Sequence, residues 1–398
     1  MVSKSLKEVV LKPITGEWGT EGNNVQILRT TNFTNEGRVN YLKVVERNVD
    51  SNKIEKKKLK IGDIIIEKSG GSPKQPVGRV VFFEKEGVFL CNNFTAILRP
   101  KLDEVVPKYL LYILYCNHKF GFTSAYQNKT TGIINLQLPK YLEGTKIPLP
   151  PLDQQKKIAS ILDAADAYRQ KTKALITKYE ELTQSLFLDM FGDPVTNPME
   201  WDKVALNELC DFKKTSVKPE EIETGDTYIG LECIEKQTGK ILERFIVEAG
   251  EIKSNKFWFD SNYILYGKLR PYLNKVANPD FEGVCSTDII PIRPILKNTV
   301  KEFIISLLRG SWFVSFADER CSGANLPRIS PKEVEKYQTI NPPIKLQNQF
   351  AERVQAIEAQ KAQAQASLAQ ADHLFNSLLQ KAFKGELVKY HNYEQTTI

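Results

Sequence analysis

Residues Leu152–Phe191 read LDQQKKIASILDAADAYRQKTKALITKYEELTQSLFLDMF, and Pro150-Pro151 stand directly before them. Within the stretch Ile158, Ile161, Ala165, Tyr168, Thr172, Leu175, Tyr179, Leu182 and Leu186 recur in alternating steps of three and four. That is the heptad seam of a coiled coil. No Pro or Gly interrupts it, and Gly192-Asp193-Pro194 supplies the stop. The same reading returns at residues 344–383. A constant offset of 192 positions carries Pro150-Pro151 onto Pro342-Pro343, Ile158-Ala159 onto Phe350-Ala351, Ser185-Leu186 onto Ser377-Leu378 and Phe191 onto Phe383. The second seam is Phe350, Val354, Ile357, Lys361, Ala364, Leu368, Ala371, Phe375, Leu378 and Ala382, and Gly385 ends it. At roughly 1.5 Å per residue each rod is about 55 Å long. Each rod has two possible partners, its own globular block and the other rod. Equal length and an Ala-rich second seam favour the other rod, in antiparallel pairing.

Working outward, the chain is an internal duplication of block, rod, block, rod. The expected fold is α+β: two mixed α/β globular blocks separated by two long helices that pair as an antiparallel coiled coil. The boundaries are residues 1–150 for the first block, 151–192 for the first rod, 193–340 for the second block and 341–390 for the second rod, with a tail at 391–398. In the first block strands are expected at 25–28, 40–45, 64–66, 78–83, 88–90 and 96–99, and a helix at 107–116. Residues 69–76 and 128–132 read as loops. The second block repeats the order. Ile264-Leu265-Tyr266 takes the place of Ile64-Ile65-Ile66, Gly283-Val284-Cys285 that of Gly87-Val88-Phe89, and a helix at 300–308 answers the one after Pro107.

Composition narrows the class. The 398 residues are 41% hydrophobic, enough for two or three ordinary cores. No apolar run reaches the roughly 18 residues of a membrane span, and the Lys-bearing N-terminus does not resemble a signal peptide. The six cysteines are scattered without a C-x-x-C pair, which signals neither a disulfide framework nor a zinc site. A cytoplasmic location is expected, with no membrane partner. The net charge of +7 is uneven: residues 1–150 hold 23 Lys+Arg against 14 Asp+Glu, residues 200–340 hold 20 against 22. A basic first block points toward nucleic acid.

Catalytic motifs are missing. The sequence has no G-x-x-x-x-G-K-[ST] and no G-x-G-x-x-G, and its three histidines lie far apart. Asn341-Pro342-Pro343-Ile344 is near the Asn-Pro-Pro-aromatic motif of adenine methyltransferases, but Ile344 offers no ring to stack on a flipped base. The offset also gives these prolines a structural role, since Pro150-Pro151 introduce the other rod.

The loops carry the binding chemistry. In the first block Ser69, Gly70, Gly71, Ser72, Lys74 and Arg79 form a glycine-bearing loop that backbone and side-chain donors can bring to a phosphate. Asn92-Asn93 and Lys129-Thr130-Thr131 are placed with it. In the second, Lys256, Lys268, Arg270, Tyr272 and Lys275 interleave bases with aromatics, and Arg320, Ser322, Asn325 and Arg328 gather near Gly323. For any one residue the plain alternative is a turn-shaping role.

The layout and several strings resemble the specificity subunit of type I restriction–modification enzymes. The strings are Ile147-Pro148-Leu149-Pro150-Pro151-Leu152-Asp153-Gln154-Gln155, Ser185-Leu186-Phe187-Leu188-Asp189-Met190-Phe191-Gly192-Asp193-Pro194, Tyr228-Ile229-Gly230-Leu231-Glu232, Leu265-Tyr266-Gly267-Lys268-Leu269-Arg270-Pro271-Tyr272, Cys285-Ser286-Thr287-Asp288, Gly323-Ala324-Asn325-Leu326-Pro327-Arg328-Ile329 and Phe383-Lys384-Gly385-Glu386-Leu387. The resemblance covers essentially the whole chain. It implies that the blocks are target-recognition domains, each reading half of a split, asymmetric site in double-stranded DNA. It adds Arg29, from the loosely matching Arg29-Thr30-Thr31-Asn32, and Ser286 and Thr287 to the DNA-binding set. It further implies a non-catalytic chain without a cofactor of its own, two methyltransferase subunits that hold S-adenosylmethionine, and motor-nuclease restriction subunits that join for cleavage. Rod length would then set the spacing of half-sites about one helical turn apart. The rival reading is a coiled-coil scaffold whose heads bind protein or carbohydrate.

Overall fold

The structure, a computed structural model, describes residues 2–73, 75–130, 133–248 and 250–387, with the backbone alone at 129 and 130. The tail at 391–398 and the last residues assigned to the second rod therefore lie outside the described residues. Two compact units divide the chain: residues 1–171 with 368–398, and residues 172–367. Each holds one head and parts of both long helices, Leu152–Phe191 and Ile344–Lys384.

In the first unit the run Ile64–Glu67 forms the middle of a four-stranded antiparallel sheet, in the order Ile14–Thr15, Thr95–Leu98, Ile64–Glu67, Val80–Phe82. Alternation along its strands sorts two cores. Ile64, Ile66, Val80, Phe82, Ala96 and Leu98 point to the helix Pro107–Lys119 and to the long helices. Ile65, Val81 and Ile97 point the other way, to Leu28, Phe89 and Cys91 of a second sheet. There Thr20–Leu28 lies between Val45–Asn48, antiparallel, and Phe89–Cys91, parallel.

The second unit repeats this plan. Its four-stranded sheet runs Cys210–Asp211, Ile289–Pro294, Ile264–Gly267, Val276–Ala277. Again one parallel pair, Thr227–Ile229 with Gly283–Cys285, sits in the sheet behind. The helices Lys301–Arg309 and Ser311–Glu319 cover the front; the sequence reading missed the second of them. The duplication is therefore one of topology.

Three expected elements shift. The strand expected at 40–45 is at Val45–Asn48. The lysine run after it begins in a helix, Ser51–Lys57, because the Asp50 side chain caps the backbone N–H groups of Asn52 and Lys53. The two expected loops at 69–76 and 128–132 contribute Ser69–Gly71 and Gln127–Thr130 to a small sheet with Ile133–Leu136, where Asn135 meets Ser69.

The long helices are antiparallel. In the second unit Glu180 meets Lys361 at 3.4 Å while Phe187 and Phe191 meet Phe350, so numbers rise on one helix as they fall on the other. In the first unit Arg169 donates to Asp372 at 2.6 Å. The 192 offset turns Asp166, Arg169 and Asp372 into Glu358, Lys361 and Glu180, and both sets are bonded alike: Arg169 to Asp166 and Asp372, Lys361 to Glu358 and Glu180. Such buried polar contacts in a helix pair fix register.

The seam of the second helix follows the spacing read from the sequence, with Phe350, Val354, Lys361, Ala364, Ala371, Phe375 and Ala382 buried. On the first helix it agrees at Ile158 and Thr172 and is displaced by one residue elsewhere. Gln155, Ile158, Leu162, Asp166, Arg169, Thr172, Phe187 and Phe191 are buried, whereas Tyr168, Leu175 and Leu182 are 54%, 43% and 49% exposed. Polar residues occupy seam positions there, so a search for apolar periodicity selects the neighbouring stripe.

Each head is tied to the helix that follows it by a buried glutamine. Gln155 accepts from the backbone N–H of Val106 at 2.9 Å and donates to Pro150. Gln347 accepts from Val300 N–H at 3.2 Å and donates to Pro342. Val106 and Val300 precede the head helices, so in both units the glutamine satisfies an end of that helix and the Pro-Pro bend together.

Candidate nucleic-acid interface

In each head three segments converge at one edge of the central sheet. They are the residues after the middle strand, the turn that leads from the second sheet into the middle strand's neighbour, and the segment that leads back toward a long helix.

In the second head Lys268 N–H donates to Asp288 O at 3.0 Å, Leu269 bridges Arg328, and Arg270 N–H donates to Pro327 O at 2.7 Å. Asp288 is the electrostatic centre. Arg328 Nε reaches its carboxylate at 3.0 Å and Lys268 Nζ lies at 3.8 Å. This hydrogen bond raises the Arg328 pKa above its ordinary value. Arg270 stands out from this group, exposed and in the left-handed region at φ 52° and ψ 66°, with one long bond from Nη2 to Asn325 O at 3.5 Å. A non-glycine side chain pays roughly 1–2 kcal/mol for that backbone. Strain kept at an exposed arginine is a pointer to function. Tyr272, 45% exposed, and Thr287 and Asn325, both exposed, share the surface, and Ser286 Oγ accepts from Asp288 N–H. Ser322 pairs with Arg328 through both backbone groups.

In the first head Lys68 N–H donates to Phe94 O at 2.8 Å, and Leu136 N–H to Lys68 O. Position by position Lys68 matches Lys268, Ser69 matches Leu269 and Gly70 matches Arg270. Gly70 is likewise left-handed, at φ 91°, and a Cβ there would meet nothing within 4 Å. Ser69 Oγ bonds Asn135, the counterpart of Arg328. Asn93 is exposed beside Phe94, which is 51% exposed, while Asn92 is buried and shapes the turn. Gly71 is buried where a Cβ would lie 2.7 Å from Val77. Lys74 and Thr131 lie outside the described residues, as do the side chains of Lys129 and Thr130, whose backbone forms the strand beside Ile133 and Ile134.

Other residues from the sequence set have partners inside their own head. Arg79 is held by Glu67 at 2.9 and 3.1 Å and by Thr30 O. Lys256 is buried and donates to Ser254 O and Oγ; Lys275 donates to Leu231 O at 2.6 Å. Burial lowers the pKa of both lysines. Arg29 is half-buried, with Nη2 on Lys43 O. Arg320 lies over the Phe316 ring at 4.1 Å, with Glu333 4.0 Å away. Sequence reasoning could not assign these partners because they come from register and from neighbouring loops. It also passed over Lys68, Phe94, Asn135 and Asp288; the match of Lys68 to Lys268 after like strands was the available signal.

Among the described residues no group of three or more His, Cys, Asp or Glu could hold a metal ion, and no helix is long and apolar enough to cross a membrane.

Comparison with known proteins places this architecture. The family described as "Type I restriction modification DNA specificity domain" matches residues 20–183 and again residues 198–370. The EcoDI specificity subunit of Escherichia coli is 28% identical over a match that spans 48% of this chain and 43% of that protein. The EcoKI specificity subunit of Escherichia coli K12 is 24% identical, over 91% of this chain and 87% of that protein. A crystal structure of the S subunit of the type I restriction–modification system of M. genitalium has the same fold, with a TM-score of 0.57 at 16% identity over 96% of this chain and 95% of that one. With its domain found twice in one chain, this protein belongs to the family of type I restriction–modification DNA specificity subunits.

Proposed function

We propose that this chain reads a split, asymmetric site in double-stranded DNA, one half with each head, and directs partner subunits to it without catalysing a reaction itself. The observation that carries this reading is the paired recognition edge: two heads of one topology place different side chains at matched loop positions. Like frames with unlike edges suit two unlike half-sites. In the second head Arg270 is the leading contact, with Tyr272, Thr287 and Asn325 beside it; in the first, Ser69, Gly70 and Asn93, with Phe94 offering an apolar contact of the kind that meets a thymine methyl. Arg79, Lys256, Lys275 and Arg328 support these loops from within.

Two methyltransferase subunits are the proposed partners, holding S-adenosylmethionine, with restriction subunits joining for cleavage. Leu175 and Leu182, exposed at heptad spacing on the first long helix, give such a partner apolar purchase. Substituting both with Asp lowers affinity for the methyltransferase at least tenfold in a pull-down titration and leaves DNA-independent folding unchanged.

Titration of the purified chain with duplex DNA over a salt series tests the reading against a scaffold that binds protein or carbohydrate. Phosphate contacts make affinity fall steeply as salt rises. Absence of salt-dependent DNA binding, alone and with the methyltransferase, favours the scaffold.

A further inference from the structure

The two units build the junction of head helix and long helices from matched positions, yet fill it differently. Aligning the head helices at Val106 and Val300 sets Tyr112 and Tyr115 against Ser306 and Arg309. The 192 offset sets Phe375 against Thr183. In the first unit Tyr112 and Tyr115 pack on Phe375 with ring centroids 6.1 and 6.3 Å apart, and the Arg169 guanidinium lies 4.5 Å over the same ring. In the second unit three rings have become a serine, an arginine and a threonine. A cavity of about 460 Å³ opens there, with Thr183, Ser306 and Arg309 in its wall.

Its charges do not all find partners. Lys361 is shared by Glu180 and Glu358, and Arg244 is paired with Asp280. Arg309, partly exposed, is held by carbonyls: Nε and Nη2 donate to Val276 O at 3.3 and 2.9 Å, and Nη2 also to Thr238 O. Among the described residues no carboxylate pairs with Arg309 or with Lys240, which also lines the wall. Gly239 permits the close approach of the carbonyl loop, since its φ is +66° and a Cβ would stand 2.3 Å from Nη2. Burial pushes the Arg309 pKa below its ordinary value, with only Glu358 and Glu180 acting against it. Arg309 is thus held by carbonyls alone, with its Nη1 group left toward the cavity wall without a carboxylate. The opposite requirement is apolar: Trp312 and Phe187 are stacked at 5.3 Å and 27°, with Ile305 alongside. The four acidic side chains of the wall equal its four basic ones in number, so a polyanion is poorly matched.

We propose that this cavity binds a small organic carboxylate with a flat apolar body, its carboxylate on the Arg309 guanidinium and its body against Trp312 and Phe187. The volume lies within the usual range for small-molecule sites, and the Nη1 N–H groups, which the carbonyls leave over, can donate charge-assisted hydrogen bonds to a carboxylate oxygen.

The test uses the full chain with benzoate, benzamide and inorganic phosphate as probes, in calorimetry and ligand-observed NMR. Saturable benzoate binding, at least tenfold tighter than benzamide, is expected. The variant Thr183→Phe with Ser306→Tyr, which installs the residues of the first unit, lowers benzoate affinity at least tenfold; Ser306→Tyr alone carries the same expectation should the pair not fold. Three results overturn the proposal: no saturable signal with any probe, meaning a cavity of water alone; benzamide or phosphate bound as well as benzoate; or benzoate binding unchanged in the filled variant. None of these readouts involves DNA, so the proposed DNA reading stands or falls separately.

Discussion

The first unit closes the junction between its head and the long helices with Tyr112, Tyr115 and Phe375, and the second leaves the matched place open among Ser306, Arg309 and Thr183. Around this difference the frame is kept: Gln155 and Gln347 hold the head helices, and Asp166, Arg169 and Asp372 have bonded counterparts in Glu358, Lys361 and Glu180. The recognition edges differ in the same way, with Gly70 and Arg270 both left-handed on matched loops. The duplication has kept what carries backbone and register, and has changed what faces a cavity or solvent.

The strongest way to break this comparison is at the junction. Phe375→Ala removes a buried ring from the first unit and costs about 3–5 kcal/mol. Thr183→Ala, at the matched place beside the cavity, costs less than about 1 kcal/mol, since there is little packing to lose. Denaturant titration of both variants measures the gap, and equal losses contradict a filled junction facing an open one.

A second test concerns the part held in common. Gln155→Leu and Gln347→Leu each strand a buried backbone N–H and a carbonyl, at about 2–3 kcal/mol apiece. Thermal unfolding of each variant checks this. A loss in only one of them means the two ties are not equivalent.

A smaller effect sharpens the recognition edge. Arg270→Gly gives the second head the residue of the first and relieves left-handed strain, so a gain in stability of up to about 1 kcal/mol is expected. The same change weakens DNA binding and, if Arg270 meets a phosphate, flattens the salt dependence by about one unit in the log–log slope. Gly70→Arg is the reverse exchange: open space receives the side chain, the left-handed backbone costs about 1 kcal/mol of stability, and binding by the first head changes.

Much of the frame was legible in the chain itself. Three consecutive isoleucines at 64–66 announced the central strand, and the 192 offset announced two like helices. The first-helix seam holds at Ile158 and Thr172 but is off by one residue between and beyond them, because Asp166 and Arg169 are buried while Tyr168, Leu175 and Leu182 are exposed. Hydrophobicity cannot reveal a seam made partly of charges. Gln155 and Gln347 were visible at the offset, but their role needs the Pro-Pro bend and the head helix brought together in space. The candidate site was legible as loops rather than as contacts. Lys268, Arg270, Asn325 and Arg328 do converge, through bridges that no spacing shows, while Arg79 is taken up by Glu67 across a hairpin and Lys275 by a carbonyl.

Whether each head reads one half-site is decided by mapping methylation in genomic DNA from cells that express this chain with the proposed methyltransferase partner. The expected result is a split, non-palindromic motif that disappears when the chain is deleted, and that changes in one half alone when residues 1–150 are exchanged for another first head. Methylation that persists without the chain, or an exchange that alters both halves together, contradicts it.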